Sequence, residues 1–128
     1  LVIRDEARHV AFGVSYMEQF VKSLTPAERD ERAEFAYDAC VVMRERLVAT
    51  EVFEHYGWDV EAARRVALDG EIMQRFRSLL FTRVIPNLKR VGLLTDALRP
   101  RYEALGILQY ENLVHDGAID WASLEEVS

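Results

Sequence analysis

Residues 1–24 read LVIRDEARHVAFGVSYMEQFVKSL. Apolar side chains recur at Ile3, Val10, Val14, Met17, Phe20, Val21 and Leu24, the i, i+3, i+4, i+7 spacing of one helix face. Arg4, Arg8, Ala11, Glu18 and Lys22 fall on the opposite side. A stretch patterned this way is an amphipathic helix that needs a neighbour for its apolar face. The same period governs the rest of the chain, and no strand pattern of convincing length interrupts it. The fold class expected is all-α, a helical bundle in one unit over residues 1–128, with residues 25–128 adding further helices to the first.

The elements follow outward from that helix. Thr25-Pro26-Ala27-Glu28 is a strong start: Thr25 can cap, Pro26 suits the first helical position, and Glu28 completes a capping box. The second helix is expected to run from Pro26 to about Tyr56, ended by Gly57, with Ala33, Ala36, Ala39, Cys40, Met43 and Leu47 as its buried stripe. Asp59 can cap a third helix from Val60 to about Leu68, broken at Asp69-Gly70. A fourth starts at Glu71 with Ile72, Phe76, Leu79, Leu80, Val84, Leu88 and Val91 on one face. Pro86 should kink it or split off its last turns, and Gly92 should stop it. Arg99-Pro100 opens a short helix closed by Gly106. Residues 107–119 read as irregular or weakly helical, and Asp120 can cap a final turn from Trp121 to Glu126.

Composition narrows the function classes. Half of the 128 residues are hydrophobic, which supports a real core and argues against disorder. Sixteen basic against 22 acidic residues give a net charge of −6. No concentrated basic face is evident, so nucleic-acid binding is not expected. Arg64-Arg65 and the series Arg75, Arg77, Arg83 read as solvated helix surface paired to acids. No apolar run approaches a membrane span and no signal peptide is visible. A single cysteine excludes a disulfide framework and makes the reducing cytoplasm the default location.

One segment carries chemistry. At about 100° per residue, Glu6 falls near the centre of the apolar stripe, between Ile3, Val10, Gly13 and Met17, and His9 falls on its edge. A carboxylate in a core stripe is costly unless paired, protonated or bound to a metal. Glu and His three apart on a helix can offer a carboxylate and an imidazole to one cation, the half-site of dinuclear carboxylate bundles. Asp5 adds a carboxylate able to orient a histidine from outside the ligand sphere. Gly13, one turn beyond His9, removes a side chain from the bundle interior. The competing reading is an ordinary ion pair of Glu6 with His9 or an arginine, without metal.

The string Arg4-Asp5-Glu6-Ala7-Arg8-His9-Val10-Ala11-Phe12-Gly13 resembles the last metal-binding helix of the ferritin-like superfamily. It is most similar to the branch that holds the ribonucleotide reductase small subunit and the related ligand-binding oxidases. The close resemblance covers about residues 3–14. It implies that Glu6 is a carboxylate ligand, that His9 is a terminal ligand, and that Asp5 hydrogen-bonds a histidine from another helix. It further implies a non-haem oxidoreductase holding two Fe ions, or Mn with Fe, that activates dioxygen against a small organic substrate. Nothing in the chain assigns a catalytic residue beyond these ligands.

The family site draws on four carboxylates and two histidines from four helices. The other histidines here, His55 and His115, are preceded three back by Val52 and Asn112, so no second Glu-x-x-His exists. The chain alone therefore cannot build the family site. It begins at Leu1 with residues that already read as helix interior, and the expectation is the carboxy-terminal part of a longer protein whose upstream helices bring the missing ligands. A homodimer pairing two Glu6/His9 helices is the other route, with further ligands from Glu51, Glu54 or His55. The reading from a different class is a non-catalytic helical interaction or dimerisation module that holds no metal.

Other candidates read as structural. Cys40 is a small core residue, Tyr16 packs at the core edge, and Trp58 and Trp121 anchor helix ends.

Overall fold

The computed structural model describes residues 2–46 and 48–118, and the backbone alone for residues 2–7, 46 and 117. All the regular structure there is helical: α1 Val2–Ser23, α2 Pro26–Arg46, α3 Thr50–His55, α4 Val60–Asp69, α5 Glu71–Val91 and α6 Arg99–Ala104. Two 3-10 turns follow, Leu108–Tyr110 and Asp116–Ala118, in the stretch expected to be weakly ordered into helix. The expected last turn, Asp120 with Trp121–Glu126, lies outside the described residues.

Local chemistry sets most boundaries. The Thr25 backbone N–H donates to Glu28 Oε2 at 2.9 Å and the Glu28 N–H donates to Thr25 Oγ1 at 3.3 Å, a complete capping box for α2. These bonds from Thr25 hold the Glu28 carboxyl below its ordinary value. Asp59 caps α4 by accepting from the Ala62 N–H at 3.0 Å. Gly92 ends α5 at φ 85°, a left-handed conformation that glycine adopts without steric cost.

Two expectations about helix continuity are corrected. The helix from Pro26 does not reach Tyr56; it stops at Arg46, and a separate α3 begins at Thr50. Between them Ala49 sits at ψ 68°, the Val48 N–H donates to the Glu45 carbonyl, and Val48 is buried. Turning off the helix axis lets a β-branched residue of modest helix propensity enter the core. Pro86, in contrast, does not split its helix: α5 runs unbroken from Glu71 to Val91. A proline inside a helix costs about 3 kcal/mol. Burial of Phe81, Ile85, Pro86 and Val91 along the same segment offsets it.

The core joins all of the long elements. Phe81 and Ile85 of α5, Ala33 and Cys40 of α2, Val21 of α1 and Tyr102 of α6 are its buried members. Leu93, Leu94 and Leu98, from the connection after Gly92, complete it. The α2 stripe follows the expectation at Ala33, Ala36, Cys40 and Met43, while Leu47 lies outside the described residues. Tyr37 and Tyr102 meet edge to face at 5.1 Å, and the Arg101 guanidinium lies 4.0 Å over the Tyr37 ring, tying α6 to α2.

The α5 face is corrected as well. Ile72, Phe76 and Leu79 are exposed, whereas Leu80, Val84 and Leu88 pack on the core. The first two turns of α5 lie against α4 and beyond the reach of the core. Arg77, expected on solvated surface, turns inward and donates to the Leu68 carbonyl.

Candidate functional site

α1 is apolar along one broad face, and the described residues cover only part of it. Val14, Val21 and Leu24 pack on the core, and α1 lies along α5 and the Asp116–Ala118 turn. Glu18, expected on the solvent side, belongs to this covered side. Its carboxylate meets Lys22 Nζ at 2.8 Å and Arg90 at 2.9 Å, and only 15% of its side chain is exposed. The Lys22 hydrogen bond and the Arg90 charge hold the Glu18 carboxyl below its ordinary value.

The rest of that face, with the flank beside it, is left open by the described residues. Val10, Met17 and Phe20 are exposed, and so are Phe12 at 74% and Tyr16 at 62%. Tyr16 therefore does not pack at the core edge as expected. A Cβ added at Gly13 would meet nothing within 4 Å. A run of large apolar groups on one open helix face is the signature of a surface that docks against something else.

His9 stands on this open side and is exposed. The α1 backbone passes through Asp5 and Glu6 as regular helix, and their side chains lie outside the described residues. Helix geometry puts residues 6 and 9 one turn apart, so an imidazole nitrogen and a carboxylate belong to neighbouring positions on one helix. That donor set suits iron or manganese, which take carboxylate oxygen together with imidazole. It amounts to two ligands, and among the described residues no group of three or more His, Cys, Asp or Glu side chains could hold a metal ion. The residues fit part of a metal site, not a whole one.

Glu51, Glu54 and His55 are exposed on α3, the short helix that packs on α4. His55 lies edge to face with Tyr56 at 5.1 Å. Trp58 closes α3 as an anchor, its N–H donating to the Phe53 carbonyl and its ring stacked on Phe53 at 5.8 Å. Cys40 is buried as expected, and burial pushes its thiol up to about 11.

Arg77 was expected on solvated surface, and Arg44 was not singled out at all. Arg44 and Arg77 bring their guanidinium groups to one cleft. Arg44 lies four residues after the buried Cys40, and Arg77 four before the buried Phe81, so both continue core stripes. That register was legible, and charge counting alone hid it.

The chain matches no family model, and no curated protein or solved structure is similar enough to count as a relative. No described helix is long and apolar enough to cross a membrane.

Proposed function

We propose that this chain is part of a non-haem dinuclear iron, or manganese–iron, oxidoreductase of the ferritin-like kind, with Glu6 and His9 as metal ligands. The observation that carries the reading is the open apolar face of α1, where exposed His9 sits beside uncovered Val10, Met17 and Phe20. A helix that both offers ligands and expects apolar neighbours is what a bundle metal site requires of each contributor.

The chain's own residues have defined parts in this scheme. The Glu6 carboxylate would bind through hard oxygen, and the His9 imidazole would bind as the neutral base. Asp5 would accept a hydrogen bond from a histidine on another helix and so set its orientation. Val10, Met17 and Phe20 would exclude water once the remaining bundle helices lie against them. Those helices, from upstream in the same protein or from another copy of the chain, would bring the other carboxylates and the second histidine. The metals, when bound, supply redox chemistry with dioxygen and a small organic substrate.

The test is metal content in the longest natural form of the protein, expressed with iron and manganese. About two metals per chain are expected, and Glu6→Ala or His9→Ala should abolish stoichiometric binding. Retention of two metals by both variants would overturn the assignment.

The same exposed Phe12, Tyr16 and Phe20 favour a second reading, a helical interaction or dimerisation module without metal. A metal-free sample from that expression that still assembles through α1 would favour it.

A further inference from the structure

A second site lies away from α1. The end of α2, the junction of α4 with α5, and the turn after α6 enclose a cleft of about 330 Å³. No residue of α1 lines it. Arg44 enters it from α2 and Arg77 from α5, with Asp69, Ser78, Gln109 and Tyr110 around them.

The two guanidinium groups are unusual in their surroundings. Among the described residues neither lies within ion-pair distance of a carboxylate, although nine other such pairs form elsewhere in the chain. Arg77 donates to the Leu68 carbonyl, and Arg44 makes no hydrogen bond among the described residues. The Nε atom of each is buried and has no acceptor. Buried donors are nearly always satisfied, and the described residues supply no acceptor for these two.

The geometry points to a binding site for a small organic monoanion, a carboxylate that also carries a hydroxyl group. Two guanidinium forks match the planar, two-oxygen geometry of a carboxylate. Asp69 on the same lining reduces the net charge to +1, which favours a monoanion over a phosphate dianion. Ser78 Oγ and Tyr110 Oη lie 2.8 Å apart at the wall and spare one further hydroxyl contact. The volume admits a ligand of a few carbon atoms to about the size of a small ring acid, at the low end of organic ligand sites.

The experiment is calorimetric titration of the full chain with L-lactate, L-serine and inorganic phosphate, each to tens of millimolar. Saturable binding of lactate, with zwitterionic serine and phosphate weaker, is the expected result. Arg44→Gln should weaken it by about tenfold or more, as should Arg77→Gln. Arg32→Gln, on the exposed side of α2, should leave it unchanged. Arg44→Gln decides the matter if Arg77→Gln fails to fold, because Arg44 holds no other element in place. Absence of binding by lactate, equal affinity in Arg44→Gln, or tighter binding of serine or phosphate would each overturn the assignment. None of these outcomes bears on metal content at Glu6 and His9.

Discussion

Asn87 and Asp116 grip each other twice. The Asn87 side-chain amide donates to Asp116 Oδ2 at 2.6 Å, and the Asp116 backbone N–H donates to Asn87 Oδ1 at 3.0 Å. Arg83, one turn earlier on α5, adds an ion pair to Asp116 Oδ1 at 3.2 Å. The pair fastens the segment after α6 back onto α5, beside α1.

Asn87→Ala should therefore destabilise the chain. It strands a buried carboxylate oxygen and a backbone N–H, and a stranded buried group costs about 1–3 kcal/mol. Urea denaturation followed by circular dichroism measures the loss. A midpoint unchanged from the parent would show that the clamp does not secure the fold.

The exposed flank of α1 and the core it joins should respond differently to substitution. Phe12→Ser, on the open side, should leave stability within about 0.5 kcal/mol. Ile85→Ala, at the centre of the core that α1 joins, should cost about 2–5 kcal/mol. In whatever assembly covers α1, Phe12→Ser should weaken association measured by sedimentation or cross-linking. A large loss of stability from Phe12→Ser in the isolated chain would mean that the open face is already covered.

Cys40 should resist thiol reagents in the native state. Burial raises its thiol to about 11, so little thiolate exists near pH 8, and the side chain is enclosed. Labelling with an aromatic disulfide should be slow in buffer and fast in denaturing urea. The sign of the pH effect follows from the raised value. Stability from the neutral thiol is whole below the ordinary value of 9.0 and declines as pH rises through it towards about 11. Rapid native labelling at pH 8 would contradict the burial.

Much of the secondary structure is readable before any packing is known. The Thr25–Glu28 box, the Asp59 cap and the Gly92 stop act within a few residues, so their bonds are written into neighbouring positions. The second helix was read too long because its apolar period continues past Arg46, and only burial of Val48 gives the chain a reason to turn there. Pro86 was read as kinking the helix or splitting off its last turns, and the split does not occur because the local rule ignores what the core can offset.

The candidate metal ligands are a matter of sequence alone: a Glu-x-x-His spacing on a continuous helix places the two groups one turn apart wherever the helix goes. Which side of that helix meets this chain is another matter. Val10, Val14, Met17 and Val21 share one stripe of α1, and periodicity does not tell them apart. Tertiary structure did: α5 and the 116–118 turn lie along α1, where Val14 packs on the core and Val21 is buried, while Val10, Met17 and Phe20 stay exposed among the described residues. It likewise sent Arg44 and Arg77 into a shared cleft. Local period tells a residue how far it lies from the helix face, while its neighbours across the fold decide which face is inside.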